Sequence, residues 1–198
     1  MITIYDTKLN NIGIASRQEV HQKGYWHQTF QCWFVHTNDI FLQIRSNSKK
    51  DFPGLLDITA AGHVLAGERI EDGIREIQEE LGIDVSISEL TPIGIIKDCI
   101  EIPPFVDKEF ANVFVYDYNP KVQPLHFQDN EVSGMVCANI DDLYRLFSNE
   151  VEEIQVTGYW KDKYGVSTPI QKKVHKAHFV PHDSYYFLLV IERIKNRR

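Results

Sequence analysis

The feature that most constrains this chain is an acidic segment that follows a glycine, from Gly62 to Ile83. Four apolar residues in it recur at helical spacing and share one face: Ile70, Ile74, Ile77 and Leu81. An apolar face of this kind must pack on a core. The spacing therefore predicts a helix over 70–81, with Gly82 just past the helix end, where glycine is favoured.

Three glutamates share a second face of this helix, nearly opposite the apolar one: Glu76, Glu79 and Glu80. Asp72 falls on the same arc, and we expect these carboxylates to be solvated. Like charges at this spacing destabilise an isolated helix by a few tenths of a kcal/mol per pair, so helix stability does not explain the cluster. Oxygen ligands at this density suit a hard divalent cation, Mg²⁺ or Mn²⁺, which also binds phosphate oxygens. The alternative is a solvated acidic face that binds nothing.

The residues before the helix exclude one class of phosphate site. The run GHVLAGER superficially resembles the GxxxxGK[ST] phosphate loop, but Glu68 and Arg69 stand where that loop requires Lys and Ser or Thr. A nucleoside triphosphatase of that type is therefore excluded. A glycine loop that leads into an acidic helix indicates instead a site for a metal ion and a diphosphate.

The whole segment resembles the signature of the Nudix hydrolases, called the box below. That signature is a Gly, five residues, a Glu, seven residues, Arg-Glu, an aliphatic residue, any residue, Glu-Glu, any residue, Gly and an aliphatic residue. The matching residues here are Gly62, Glu68, Arg75-Glu76-Ile77, Glu79-Glu80 and Gly82-Ile83. The sequence departs from the signature in one respect, since six residues, not seven, separate Glu68 from Arg75.

The resemblance implies a role for each matching side chain. The three glutamates of the helix would bind metal ions and act in catalysis, with the backbone carbonyl of Gly62 as a further ligand. Arg75 would orient these glutamates, and Glu68 would support the loop and is one more candidate ligand. Because the missing residue lies where the loop joins the helix, the geometry among the helical glutamates is kept, whereas the contact of Glu68 with them is left open.

Sequence before the box and at its start narrows the resemblance to one branch. The runs VHQKGYWHQTF, FLQIRSNSKKDFPGLLD and AAGHVLAGE are similar to the opening half of type I isopentenyl diphosphate isomerases, which share the Nudix fold. In those enzymes a catalytic Cys precedes a Gly-His pair, and here Ala61 stands in that position. Since Ala61 has no group that exchanges a carbon-bound proton, and the box glutamates are all present, hydrolysis is favoured over isomerisation.

The isomerase resemblance also implies a metal site. Its matching residues are two early histidines, the histidine of the Gly-His pair and two acids: His21, His27, His63, Asp107 and Glu109. The alternative for the early pair is ordinary surface or hydrogen-bonded histidines, and for His63 a packing role in the loop. Glu109 is also a candidate general base, because many Nudix enzymes place an acid outside the box near the metals. Its alternative is an exposed charge at the start of a strand.

Two cations before the box match positions that hold the substrate diphosphate in the isomerase-like proteins. Arg45 offers the bidentate geometry that phosphate oxygens accept, and Lys49 adds a point charge. The alternative for both is a solvated loop. Nothing in the sequence identifies the group attached to the diphosphate.

Apolar and alternating runs outside the box predict strands, which cover 30–35, 40–45, 93–102, 110–118 and 132–138. A short helix follows Asn139 and ends near Phe147, and a last helix spans about 183–196, with Asp183 or Ser184 as its cap. Strands mixed with a few helices predict an α/β (α+β) fold. The Nudix resemblance implies an α/β/α sandwich with a mixed sheet, as a single domain over residues 1–198.

Composition, net charge and cysteine content indicate where in the cell we expect the protein and which partners it binds. Of the 198 residues, 43% are apolar and 25% are charged, which is typical of a globular chain. A net charge of −7 argues against passive binding to nucleic acid or anionic lipid. Cys32, Cys99 and Cys137 lack metal-site spacing and indicate reduced thiols. With no leader or membrane span in the sequence, we expect a cytoplasmic protein that binds neither nucleic acid nor membrane, and a homodimer is left open.

The sequence therefore predicts a hydrolase that uses Mg²⁺ or Mn²⁺ to cleave a diphosphate linkage in a small molecule, giving phosphate monoesters. A nucleoside diphosphate linked to another group is one such substrate. Two alternatives stay open: an isopentenyl diphosphate isomerase-like enzyme, and a Nudix module that only binds a nucleotide.

Overall fold

The computed structural model of the protein describes residues 1–162 and 164–197. Across these residues eleven strands form one sheet: β1 (Ile2–Tyr5), β2 (Asn11–Ala15), β3 (Trp26–His36), β4 (Asp39–Arg45), β5 (Leu56–Asp57), β6 (Ala60–His63), β7 (Leu90–Ile102), β8 (Phe105–Asp117), β9 (Val132–Asn139), β10 (Ile154–Lys161) and β11 (Ser167–Val174). The α-helices are α1 (Arg17–Lys23), α2 (Arg75–Leu81), α3 (Ile140–Phe147) and α4 (Ser184–Asn196). Short 3₁₀ helices span Ile70–Ile74, Ile87–Glu89 and Lys176–His178.

Strand β3 is the centre of the sheet. It pairs in parallel with β8 along one edge and antiparallel with β1, β6 and β4 along the other. From β4 the sheet continues through β9 and β10 to β11, and from β1 it continues to β2. The remaining strands are antiparallel neighbours, β5 of β4 and β7 of β8. The mixed sheet that we predicted is therefore confirmed.

The side chains of β3 alternate between two apolar cores. Phe30, Cys32 and Phe34 pack in one core, to which α2 contributes, on one face of the sheet. Trp33 and Val35 pack in the other core, with residues of α3 and α4. Because successive strand residues point to opposite faces, this alternation places helices on both sides of the sheet. The predicted combination of strands and helices, an α/β/α sandwich, is confirmed.

The prediction of a single helix over 70–81 is wrong. The first five residues form the 3₁₀ helix, and α2 begins only after it. A Cβ on Gly73 would overlap the side chain of Phe30, so the chain approaches β3 closely here and only glycine fits. The Asp72 carboxylate accepts the N–H of Arg69 at 2.8 Å, which closes the tight turn. Asp72 therefore does not join the acidic face.

The other predicted elements are present, several with wider bounds than the apolar runs that predicted them. The last helix is α4, and Asp183 caps it by accepting the N–H of Tyr185 at 2.8 Å. Among the strands and α-helices, sequence analysis missed β1, β2, α1, β5, β6, β10 and β11. Strand β11 shows why: of its side chains only Val174 is buried, so almost no hydrophobic periodicity marks it.

Two further expectations concern thiols and membranes. The three cysteines are free, and Cys32 is buried in the core beside α2. Burial raises the pKa of the Cys32 thiol, so the thiol stays protonated. In the part of the chain that the structure describes, no helix combines the length and the apolar character needed to span a bilayer.

Candidate active site

A cavity of about 460 Å³ opens where β3, β6, α2 and β8 meet the segment before α4. Most of the residues proposed from the sequence line it: His21, Arg45, Lys49, Gly62, His63, Arg75, Glu76, Glu79, Glu80, Asp107 and Glu109. Glu68 and His27 lie outside the lining. The fold therefore brings residues from distant parts of the sequence to one cavity.

The box glutamates form one side of this cavity, here called the glutamate wall: Glu76, Glu79 and Glu80. Glu76 packs directly on β6, where a Cβ on Gly62 would overlap its carboxyl group and push that carboxyl out of its present position. Oε1 of Glu76 lies 3.0 Å from Nη2 of Arg75. Burial raises the pKa of Glu76 to about 7, because the charge of Arg75 offsets only part of the cost.

Glu80 is the buried member of the wall. Its residue is 5% exposed, so the expectation that all three carboxylates are solvated is wrong for Glu80. The reason is tertiary, since β6 passes over this part of α2: the backbone N–H of Ala61 donates to Oε2 of Glu80 at 3.3 Å, and the Gln43 amide donates at 3.4 Å. Burial, reinforced by the charge of Glu76, raises the pKa of Glu80 to about 8.

The donor set of the glutamate wall fits a divalent cation. Carboxylates held in a cavity with raised pKa values lack enough positive charge nearby, and an ion such as Mg²⁺ or Mn²⁺ supplies that charge. Glu79 is exposed at the cavity and completes the wall. Three oxygen donors from adjacent turns of one helix, beside the backbone of β6, are the ligands that these hard ions prefer.

Arg75 ties the loop before the helix to the glutamate wall. Its Nη1 lies 2.9 Å from Oε2 of Glu68, and the same carboxylate accepts the N–H of Leu65 at 2.8 Å. Its Nη2 donates to the carbonyl of His63 at 3.1 Å. The missing residue between Glu68 and Arg75 therefore leaves these two side chains in contact. In this arrangement Glu68 braces the loop.

Three histidines and an aspartate form a second group beside the cavity, here called the histidine cluster: His21, His27, His63 and Asp107. Nε2 of His21 lies 3.3 Å from Nε2 of His63 and 3.5 Å from Oδ1 of Asp107. Nε2 of His27 lies 3.4 Å from the same oxygen. His21 and His27 are buried rather than at the surface. Burial lowers the pKa of His27 and His63, so both rings are neutral.

The histidine cluster also has the chemistry of a cation site. Among the described residues, Nε2 of His27 and Oδ1 of Asp107 are buried and have no hydrogen-bond partner. Such orphaned atoms are costly in an interior, and a bound cation would satisfy both. Neutral imidazole nitrogens are common metal ligands. Asp107 and His27 also lie within reach of Glu109.

Glu109 is set into the cavity wall by β3. The hydroxyl of Thr29 and the amide of Gln31 donate to its Oε2 at 2.9 and 2.8 Å. Burial raises the pKa of Glu109 well above its usual value, and the charges of Asp107 and Asp98 add to the effect. Sequence analysis missed both donors. The only signal for these donors in the sequence was that polar residues alternate with apolar ones along β3.

Arg45 and Lys49 line the cavity, and each has a carboxylate partner. Nη1 of Arg45 donates to Asp57 at 2.7 Å, while Nε and Nη2 donate to the carbonyl of Asp51 at 3.3 and 2.9 Å. Lys49 pairs with Glu131. Burial lowers the pKa of Lys49. The two side chains are 17% and 24% exposed, so a solvated loop does not describe them.

A third charged group lies behind Arg45, and sequence analysis missed it. His182 stands between two carboxylates, with Nε2 3.0 Å from Asp57 and Nδ1 2.5 Å from Asp98. It lines the cavity from the last fifty residues, in which no signature was found. The only local signal was the helix cap at Asp183, which marks a helix start and not a site.

Comparison with known proteins identifies the family. A profile of the NUDIX domain matches residues 26–164, which is more than half of the chain. The chain belongs to the Nudix family. It is a Nudix hydrolase, as its similarity to other Nudix hydrolases supports.

Two relatives show how this Nudix hydrolase compares with known sequences. An uncharacterised Nudix hydrolase of Clostridium acetobutylicum is 37% identical over 197 residues, covering 98% of this chain and 96% of that protein. Isopentenyl-diphosphate Delta-isomerase 2 of Photorhabdus laumondii is 28% identical over 153 residues, covering 75% of this chain and 82% of the isomerase. The predicted similarity to both groups is therefore confirmed.

A solved structure shows the same fold at low sequence identity. The Deinococcus radiodurans protein DR0079 has a TM-score of 0.58 and 19% identity, covering 75% of this chain and 88% of that protein. At this identity the match establishes the fold and nothing further. Nudix hydrolases generally use divalent cations such as Mg²⁺ or Mn²⁺, in keeping with the donors of the glutamate wall.

Proposed function

We propose that this Nudix hydrolase uses Mg²⁺ or Mn²⁺ to cleave a diphosphate linkage in a small organic molecule, giving two phosphate monoesters. The glutamate wall is the observation that carries the proposal. Its three carboxylates, Glu76, Glu79 and Glu80, come from adjacent turns of α2 and line one side of the cavity, which is an oxygen-donor set that a divalent cation prefers. The wall faces a cavity that also presents Arg45 and Lys49, two cations suited to phosphate oxygens.

Each group of the site has a task in this proposal. Glu76, Glu79 and Glu80, with the carbonyl of Gly62, would hold the cations. A bound divalent cation neutralises charge on the diphosphate and lowers the pKa of bound water. Arg75 holds the loop in place through its bonds to Glu68 and to the carbonyl of His63. Arg45 and Lys49 bind phosphate oxygens and stabilise the leaving phosphate.

Glu109 is the proposed general base. A base must be ionised, and the raised pKa of Glu109 means that the carboxyl keeps its proton while the cavity is negative. Positive charge that enters the cavity with the substrate complex lowers this pKa and frees the carboxylate. Thr29 and Gln31 bond to Oε2 and fix the carboxylate orientation. Glu109 can then accept a proton from water.

The histidine cluster supports a second candidate, an isopentenyl diphosphate isomerase-like activity. The clustering of His21, His27, His63 and Asp107 is the arrangement that the resemblance to the isomerases implies. Ala61 weighs against it, because its methyl group lines the cavity where those enzymes carry a catalytic Cys. A methyl group neither donates nor accepts a proton, so hydrolysis remains the favoured activity.

A screen of organic diphosphates with Mg²⁺ and with Mn²⁺ tests the proposal. The panel includes nucleoside diphosphates linked to a second group, and isopentenyl diphosphate. Two phosphate monoesters as products are the expected result. Formation of dimethylallyl diphosphate at enzymatic rates would favour the isomerase activity. Binding of a nucleotide without turnover of any compound would favour a binding module.

A further inference from the structure

We propose that His182 is a positioning residue that clamps Asp57 and thereby fixes the guanidinium of Arg45 for a diphosphate in the cavity. The inference rests on the proposed function, since it assigns Arg45 to the anion. It gives the C-terminal part of the chain a place in the site. Through this clamp, the segment before α4 becomes part of the substrate pocket.

The clamp is a continuous chain of buried, charged hydrogen bonds. Asp98 on β7 accepts from Nδ1 of His182 at 2.5 Å and from the N–H of Asp183 at 3.1 Å. Nε2 of His182 lies 3.0 Å from Oδ1 of Asp57 on β5, and Oδ2 of Asp57 lies 2.7 Å from Nη1 of Arg45. The side chains of His182, Asp57 and Asp98 are 8%, 7% and 2% exposed. Water therefore competes little for these bonds, which strengthens them.

Arg45 keeps donors for an anion in this arrangement. A guanidinium carries five N–H donors. Described residues use one on Nη1 through Asp57, and one each on Nε and Nη2 through the carbonyl of Asp51. The remaining N–H groups belong to a side chain that lines the cavity. Held from two directions, the planar group presents these donors in one orientation, which favours bidentate binding of phosphate oxygens.

Charge balance assigns His182 a specific part in the clamp. Burial opposes a charge on His182, but its bonds to Asp57 and Asp98 outweigh burial and raise its pKa well above the usual value. With His182 protonated, two carboxylates face two cations, and the group is neutral. Without that charge, Asp57 and Asp98 leave an unbalanced negative charge behind Arg45, which weakens the attraction of the cavity for an anion.

His182 acts through its neighbours and not on the substrate. Both ring nitrogens bond to carboxylates, so neither is free to reach a ligand in the cavity. The expected signature is therefore a change in diphosphate affinity that disappears when Arg45 is altered. A residue that only stabilises the fold would weaken binding equally with or without Arg45.

A binding experiment separates these possibilities. The probe is methylenediphosphonate, a diphosphate that cannot be hydrolysed, titrated calorimetrically in the presence of Mg²⁺. The variants are His182→Gln, Asp98→Asn, Arg45→Lys and the double variant His182→Gln/Arg45→Lys. His175→Gln is the matched control, because His175 is an exposed histidine of the same segment. Thermal unfolding of each variant is followed in parallel.

We expect His182→Gln to weaken probe binding by about tenfold and to have little further effect in the Arg45→Lys background. Asp98→Asn keeps the side-chain volume but removes a bond to His182 together with one negative charge. The charge behind Arg45 then does not become more negative, so only the lost positioning is expected to weaken binding, by less than in His182→Gln. This variant carries the test if His182→Gln unfolds. The control is expected to bind like the parent.

Parent-like affinity in both His182→Gln and Asp98→Asn would overturn the clamp, and so would fully additive effects of His182 and Arg45. A parent protein that does not bind the probe would also overturn it, because Arg45 would then hold no diphosphate. A parent that binds the probe but hydrolyses no compound of the substrate panel would contradict the proposed function and leave the clamp standing.

Discussion

The glutamate wall and the histidine cluster face one cavity, and burial acts on them in opposite directions. Burial raises the pKa of Glu76 and Glu80, so these carboxyls hold protons near neutral pH when no cation is present. Burial lowers the pKa of His27 and His63, so these rings are neutral and keep a free lone pair. The same desolvation thus leaves one group blocked by protons and the other ready to bind a cation.

The two groups also differ in ligand chemistry. The wall offers oxygen donors, which suit Mg²⁺ and Mn²⁺, whereas the cluster offers three imidazoles and one carboxylate, a set that suits transition metals. If the two groups act independently, changes in one should affect metal-dependent turnover and changes in the other should affect the choice of metal. The predictions below test this separation.

The largest effect is expected at the glutamate wall. Glu79→Gln and Glu80→Gln should each lower Mg²⁺-dependent turnover by about 10³-fold or more, because an amide keeps the shape of the side chain but removes the charge that holds a cation. Turnover of the diphosphate found in the screen is the measurement. The matched control is Glu71→Gln, since Glu71 is an exposed glutamate in the same segment, paired with exposed Arg69. Parent-like turnover in both wall variants would show that the metal assignment is wrong.

Glu109 should affect chemistry more than binding. If it is the base, Glu109→Gln should lower kcat by roughly 10² to 10⁴ with little change in KM. The amide of the variant can still form a hydrogen bond with Thr29 or Gln31, so the structure of β3 beside the cavity should be unchanged. Steady-state kinetics over a range of Mg²⁺ concentrations provide the measurement.

Excess metal distinguishes the roles of Glu109. Recovery of much of the rate at high Mg²⁺ or Mn²⁺ would identify Glu109 as a ligand and join it to the histidine cluster. Unchanged kcat and metal affinity would eliminate both roles and leave a box glutamate as the base.

The histidine cluster should control the binding of a nitrogen-preferring cation. His27→Gln is expected to weaken Mn²⁺ or Zn²⁺ binding by about tenfold or more, while Mg²⁺-dependent turnover changes little. Calorimetric titration with each metal alone measures this difference, and Asp107→Asn should act in the same direction. If His27→Gln lowers Mg²⁺-dependent turnover as much as Glu80→Gln does, the two groups form a single site.

The box was predictable because its information is local. The order of glycine, arginine and glutamates lies within 22 residues, and helical spacing alone places the glutamates on one face. The burial of Glu80 was not predictable, because it depends on where β6 crosses the helix. Asp72 illustrates the same limit, since its carboxylate caps a 3₁₀ turn that the approach of Gly73 to Phe30 requires.

The histidine cluster and the clamp also depend on contacts between distant parts of the chain, which no local pattern in the sequence marks. His21, His27, His63 and Asp107 could be proposed only from resemblance, and no spacing rule marks them as a group. His182 could not be proposed at all, because its partner Asp57 lies 125 residues away and no motif marks the segment that contains His182. A contact at that separation is set by the whole sheet and the packing of α4, not by any local pattern.

The smallest predicted effect concerns stability. In the metal-free protein the pKa of Glu80 is raised from 4.5 to about 8, and that of Glu76 to about 7. Between pH 4.5 and about 8 the folded state therefore binds more protons than the unfolded state. Stability contributed by these groups is fully present below pH 4.5 and is lost as the pH rises to about 8.

Comparison with Glu80→Gln between pH 6.5 and 8 separates the contribution of Glu80 from that of other groups. The pKa values of Glu76, Glu109 and His182 are also raised, so these groups favour lower pH in parent and variant alike. We expect the metal-free parent to lose on the order of 1 kcal/mol per pH unit in this window, and Glu80→Gln to lose less, because the amide does not titrate. Urea unfolding at several pH values measures both slopes.

Saturating Mg²⁺ should also flatten the dependence of parent stability on pH, since a bound cation favours the ionised carboxylates. Equal slopes for parent and variant would place the Glu80 pKa near its ordinary value and remove the contrast between the glutamate wall and the histidine cluster.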